Sequence, residues 1–312
     1  MKLQPSDQFK PTSTNVSGIL NLYGLSCTNF ISAKSGIENC TLYVQTNSGT
    51  FVLRVYRYAK KAETDIRLEA QFVEYLHAHG IPTAVPIRNL QDSPYTQFSS
   101  DNKIWYAVLM PFFTGTHADR YTDAYLRNLA STQAKMHLLA QKFPASADTK
   151  VRDVVLQEGY FIQLIENRAE LDPHISSFVD RAEAYTVRID TALPSGYCHL
   201  DYDNGNILSD NDSIVAVLDF DDMQFTAFVR CLAYTVWDIM FELGLSSIQD
   251  YLDIYERYRP LSAEEKNLLL PLVLYRHYII GSKDVADNAM SPALLQTYLE
   301  REQELLAAIA SS

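Results

Sequence analysis

Between Gly196 and Asp222 the chain reads GYCHLDYDNGNILSDNDSIVAVLDFDD, seven aspartates and three asparagines set around an apolar run. Ile214, Val215, Val217 and Leu218 have the composition of a buried strand. Carboxylates at the end of such a strand are costly unless each meets a cation, a hydrogen-bond donor or a metal ion. The segment therefore demands a fold that brings partners to it, and a merely solvated acidic loop does not explain why it runs straight into core residues. A calcium loop does not fit either: counted from Asp201, Gly205 falls at the fifth position rather than the sixth, and the twelfth is Asp212 rather than Glu.

The rest of the chain changes character once. TNFISA, TLYVQT and TFVLRVYRY read as strands, with TNSG at Thr46–Gly49 as a hairpin turn. AETDIRLEAQFVEYLHAHG places Ile66, Ala70, Val73 and Leu76 at helical spacing and stops on Gly80. TAVPIRN and KIWYAVLMPF resume strand character, and from about Asp123 the pattern is mainly helical. With 312 residues the chain exceeds one usual compact domain. The expectation is an α+β protein of two lobes joined near LMPFFTG: a strand-rich lobe over residues 1–110 and a larger helical lobe over 111–312.

A net charge of -12 argues against wholesale binding of nucleic acid or anionic membrane, since either needs a basic face. Cys27, Cys40, Cys198 and Cys231 show no zinc-finger or redox spacing and read as thiols. The polar start and the absence of a long apolar run predict a cytoplasmic protein outside the membrane. No G-x-x-x-x-G-K-[ST] loop and no G-x-S-x-G elbow occurs.

Within the acidic stretch His199, Asp201 and Asn206 form H-x-D-x-x-x-x-N, and Asp219 follows in LDFDD. In kinases an Asp so placed accepts the proton of the substrate hydroxyl, while the Asn and the later Asp hold magnesium. Phosphoryl transfer needs this grouping because magnesium prefers oxygen ligands and the triphosphate charge must be neutralised as it reacts.

At these residues the sequence resembles the aminoglycoside phosphotransferase and choline kinase superfamily, including type II homoserine kinases. These are small-molecule kinases of protein-kinase-like fold, and the resemblance covers most of the chain. HLDYDNGN is similar to their catalytic loop, commonly H-G-D-x-x-x-x-N, and VLDFDDM to their metal segment. The resemblance implies ATP and Mg2+ as cofactors, Asp201 as base, His199 as the brace of its loop, and Asn206 and Asp219 as metal ligands. It makes residues 1–110 a nucleotide clamp and 111–312 the catalytic and acceptor-binding lobe. In the clamp, Ser35, Gly36 and Asn39 would fold over the phosphates, and Arg54 stands where the family usually has a phosphate-gripping lysine. Glu69 would pair with Arg54, and backbone groups near Met110 and Phe112 would meet adenine.

The implied partner is a small-molecule hydroxyl acceptor: homoserine, an amino alcohol, a sugar or an aminoglycoside. A Ser/Thr protein kinase of the same fold remains an alternative, as does a silent nucleotide-binding scaffold, motivated by Arg54 and the single-glycine loop. In CLAYTVWDIMFELG, Tyr234, Trp237, Asp238 and Phe241 recur at three or four residues and share a helix face. With Asp222 they are expected to receive a cationic acceptor, the aromatic faces by cation–π attraction and the carboxylates by charge. Packing within the larger lobe is the competing reading of the aromatic residues.

Overall fold

A computed structural model describes residues 8–33, 39–144, 154–157, 159–190 and 192–311. The chain divides into two compact units, one of residues 1–116 with 208–210 and 215–218, the other of 117–207, 211–214 and 219–312.

The first unit opens with helix α1 (Ser13–Asn21), started by a capping box in which Thr12 and Asn15 exchange side-chain-to-backbone hydrogen bonds. Strands β1 (Cys27–Ser32), β2 (Cys40–Thr46) and β3 (Gly49–Val55) follow, then helix α2 (Glu63–Ala78), β4 (Thr96–Ser100) and β5 (Lys103–Pro111). They form one antiparallel sheet in the order β1-β2-β3-β5-β4. Val16, Ile19 and Leu20 of α1 pack with Leu42, Leu53 and Leu109 of the sheet to make its core. The helix α2 buries the expected Ile66, Ala70, Val73 and Leu76, and Gly80 beyond its end has φ 86°, the left-handed region glycine enters without a Cβ penalty.

Two local expectations change. TAVPIRN forms no strand: Pro86 lacks a ladder donor, and the segment makes one isolated bridge, Thr83 to Val217. The edge strand is instead β4, whose TQFSS is too polar to announce itself.

The second unit holds α3 (Asp123–Ala140), β6 (Val154–Gln157), α4 (Tyr160–Leu164), α5 (Pro173–Ala184), β7 (Thr186–Ile189) and β8 (Ser195–Cys198). The hairpin of β9 (Ile207–Asp210) and β10 (Ser213–Val217) follows, with its strands shared between the two units. Beyond it the second unit continues with β11 (Gln224–Ala227), α6 (Phe228–Leu243), α7 (Ser246–Tyr255), α8 (Ala263–Ala286) and α9 (Pro292–Ser311). The strands β6 and β7 pair, as do β8 and β11. The helix α6 is apolar almost all round, burying Leu232, Val236, Ile239 and Met240 with α8 and α7 against it, as a central helix must. Cys198 at the end of β8 meets Cys231 of α6 and His137 of α3, their donor atoms within 4.8 Å of one another. Among the described residues no helix is long and apolar enough to cross a membrane.

Candidate active site

The strands β8 and β11 pair in antiparallel register, Cys198 opposite Gln224, so the chain entering and the chain leaving the acidic stretch are held side by side. Beyond Cys198 the loop is shaped by its own polar groups. The Asp201 N–H donates to His199 Nδ1 at 3.2 Å, and the buried His199 ring lies on Phe220 at 4.5 Å. Asn206 Nδ2 donates both to the Asp201 carbonyl at 2.8 Å and to its Oδ2 at 2.9 Å. Asp203 caps the turn by accepting the Asn206 N–H at 3.1 Å. The residues of H-x-D-x-x-x-x-N are thus one closed hydrogen-bonded unit, with the amide nitrogen of Asn206 committed to Asp201, so that its Oδ1 is the atom that could ligate a cation.

Two non-glycine residues here adopt the left-handed conformation, Leu200 with φ 63° and Asp219 with φ 55°. Such conformations cost ~1 to 3 kcal/mol and persist where surroundings impose them. Leu200 sits where the related loops commonly carry glycine. Asp219, two residues beyond β10, caps a short 3-10 turn, its Oδ1 accepting the Asp221 N–H at 3.3 Å. Since Phe220 packs on His199, the segment bearing Asp219 is fastened to the loop of Asp201. Carboxylate and amide oxygens are the hard donors that suit Mg2+, so Asn206 and Asp219 fit that ion.

Several supporting residues gave no signal in the sequence. Asn204 clamps the loop to Ala118, donating to its carbonyl at 2.8 Å and accepting its N–H at 3.1 Å, while Tyr125 Oη donates to the same Asn204 oxygen at 2.9 Å. Arg276 of α8 donates to Asp201 Oδ1 at 3.3 Å, so both oxygens of that carboxylate are held. Its guanidinium lies over the Tyr234 ring at 4.6 Å. Burial pushes the Asp203 carboxyl up, with the charge of Asp201 adding to it. Asp238 is pushed well up by burial, against the pull of Arg276 and with help from Asp203 and Asp201.

In the first unit, Arg54 is buried on the central strand β3, opposite Thr41 and Val108. The expected Arg54–Glu69 pair gives way to another: Glu69 accepts Lys61 Nζ at 2.6 Å and Tyr56 Oη at 3.3 Å. Lys61 immediately precedes the Ala62 cap of α2, within reach of a side chain two turns along that helix, and both partners are nearly buried. Asn39 Oδ1 accepts the Arg57 N–H at 3.0 Å. Met110 pairs with Val52 on β5, and the exposed Phe112 meets Tyr43 edge-on. Ser35 and Gly36 lie outside the described residues.

The aromatic face of α6 turns out to be occupied by the protein itself. Arg276 and Arg230 both lie over Tyr234. Trp237 is buried on Phe241 and donates Nε1–H to His277 Nδ1 at 3.1 Å, which corrects its expected place as an acceptor platform. Asp222 is exposed. His277 is neutral here by geometry, with Nδ1 accepting and Nε2 donating to the Tyr298 carbonyl at 3.0 Å. Burial brings its pKa down from 6.5 to about 4, opposed by Glu302. The unfolded chain therefore takes up a proton that the folded one refuses. The contribution is complete above pH 6.5 and is lost as pH falls from 6.5 towards 4. Between pH 7 and 5 it amounts to roughly 2 kcal/mol. Thermal melting across that range should show a flatter pH dependence in His277→Gln than in wild type; equal slopes would exclude His277 as the source.

The chain is 26% identical to homoserine kinase of Caulobacter sp. (strain K31), covering 83% of this chain and 81% of the relative. It is 27% identical to homoserine kinase of Neisseria meningitidis serogroup B, covering 80% of each. Among solved structures, amicoumacin kinase hAmiN superposes with TM-score 0.74 at 14% identity, over 95% of this chain and 94% of the other. A microcompartment-associated aminopropanol kinase gives 0.67 at 16%, over 94% and 95%. The architecture is accordingly protein-kinase-like, a small antiparallel-sheet lobe and a larger helical one. With the model of the phosphotransferase enzyme family matching residues 30–265, the chain belongs to that family.

Proposed function

We propose that the protein transfers the γ-phosphoryl of ATP, with Mg2+, to a hydroxyl of a small metabolite that also bears an amine. The observation that carries this reading is the closed loop in which the Asn206 amide nitrogen donates to both the Asp201 carbonyl and its carboxylate, which would leave the amide oxygen to a cation. Asp201 would orient the acceptor hydroxyl and take its proton, with His199 bracing the loop through the Asp201 N–H. Asn206 and Asp219 would hold Mg2+, which neutralises charge developing on the phosphate oxygens. On the nucleotide side, Ser35, Gly36 and Asn39 would cover the phosphates, and Arg54 would meet them as a fixed charge. Glu69, held by Lys61, would then not serve as the partner of Arg54. Backbone groups near Met110 and Phe112 would receive adenine.

The amine follows from the acidity of the loop: burial raises the Asp203 and Asp238 carboxyls, the charge of Asp201 adds to both, and a cation beside Asp201 relieves that repulsion. Homoserine and aminopropanol, which name relatives of this chain, both join a hydroxyl to an amine. The test is a phosphoryl-transfer assay with ATP, with and without Mg2+, offering homoserine, aminopropanol, choline, spectinomycin, neutral sugars and a Ser/Thr peptide. Mg2+-dependent transfer to an amine-bearing small acceptor is expected. Transfer to the peptide alone would make the protein a protein kinase, nucleotide binding without any transfer a silent scaffold, and a preference for neutral sugars would refute the amine.

A further inference from the structure

Arg276 approaches the catalytic loop from α8 and lies on Tyr234, with its Cζ 4.6 Å from the ring centroid. Its contact with Asp201, 3.3 Å, is longer than the ~2.8 Å of a well-made charge-assisted hydrogen bond. Among the described residues Asp201 is the group hydrogen-bonded to this guanidinium, and the buried Nε has no partner. A planar fork with five N–H donors is therefore committed through one. Stacking fixes the plane of the guanidinium, so its donors are pre-aimed rather than searching. The side chain is 13% exposed, leaving it largely desolvated and still open to a ligand.

The surroundings define which ligand. Asp201 is the carboxylate an acceptor must approach, and an anionic acceptor would be repelled by it unless a cation stood beside it. Arg276 is that cation, 3.3 Å from Asp201 Oδ1. Planar, bidentate recognition by arginine selects carboxylates and phosphates.

We propose that Arg276 is the carboxylate anchor of the acceptor site, making the preferred acceptor a hydroxy-amino acid. The inference rests on the small-molecule kinase reading and narrows it: an amino alcohol satisfies the acidic groups but leaves Arg276 with its weak internal contact, whereas a hydroxy-amino acid satisfies both. Anchored on the guanidinium edge away from Asp201, the carboxylate is screened from that aspartate while the hydroxyl, a few bonds away, reaches it.

The test uses a matched pair, L-homoserine and 3-aminopropan-1-ol, which is homoserine without its carboxylate. Calorimetric titration of the full chain measures binding of each to wild type, Arg276→Gln and Arg276→Lys, beside steady-state kinetics and melting temperatures. Wild type should bind homoserine at least ~10-fold tighter than the amino alcohol, as a charge-assisted pair implies. Arg276→Gln should bring that ratio close to one, and Arg276→Lys, with charge but no fork, should retain part of it. An unchanged ratio in Arg276→Gln overturns the proposal, as does a wild type that prefers the amino alcohol. Equal weakening of both acceptors would make Arg276 a positioning residue for Asp201, and a raised KM for ATP at unchanged acceptor ratio would make it a phosphate ligand; either overturns the anchor. Homoserine binding that depends on Arg276 without any phosphoryl transfer would leave the anchor standing and sink the kinase reading alone.

Discussion

Asp201→Asn should lower kcat by ~10²- to 10⁴-fold, the range lost when a positioned base is removed, while leaving the Kd for Mg2+-ATP within about twofold on this same assignment of roles. The substitution is nearly isosteric, and the amide oxygen of the new side chain still accepts the hydrogen bond from Asn206 Nδ2 that closes the loop. His199 keeps its contact, because that is made by the backbone N–H of residue 201. What disappears is the negative charge that takes the acceptor proton. Arg276 loses its internal counter-charge at the same time, so acceptor binding is expected to hold or tighten for a carboxylate-bearing molecule. Single-turnover transfer and nucleotide titration separate the two effects. A variant that transfers phosphoryl at wild-type rate removes Asp201 from the role of base; one that loses nucleotide affinity in step with turnover makes it a structural or metal-binding group.

The sequence made the catalytic loop legible because its geometry is local. Asp201 and Asn206 are five residues apart, and a turn capped by Asp203 can bring Asn206 Nδ2 onto Asp201 with no help from distant chain. The two-lobed α+β plan was legible for a similar reason, since period-2 and period-3.6 patterns switch near the Thr122 cap of α3. Arg276 was not legible. It lies 75 positions beyond Asp201 on a helix whose other buried residues are mostly apolar, and a single arginine there looks like any half-buried helix charge. The partner of Glu69 was misread because family spacing singles out a strand residue, Arg54, whereas the lysine that arrives comes from the loop before α2. Trp237 has the spacing of a binding face, but the same spacing serves packing, and His277, forty residues on, decides between them. TAVPIRN misled because β-branched residues suit a strand while Pro86 denies it a ladder.

Asp219→Asn should abolish the Mg2+-dependent part of ATP binding, weakening it by at least the ~10- to 100-fold typical even of residues behind a metal ligand. The fold should persist. Asparagine tolerates the left-handed conformation that Asp219 adopts, φ 55°, as well as aspartate does. Its side-chain oxygen can still accept the Asp221 N–H that caps the 3-10 turn. The variant therefore subtracts charge at one position while keeping the turn and the Phe220–His199 contact beside it. Asp219→Ala provides the contrast, since alanine loses the cap and bears the strain of a left-handed residue without a polar side chain to offset it. It should lower the melting temperature as well as metal-dependent binding. Fluorescent-nucleotide titrations with and without Mg2+, run beside thermal melts, read both quantities. In wild type the two titrations should differ widely, and in Asp219→Asn they should nearly coincide at an unchanged melting temperature. Wild-type metal dependence in Asp219→Asn would place the ion on other residues and leave Asp219 only as the cap of the 3-10 turn after β10.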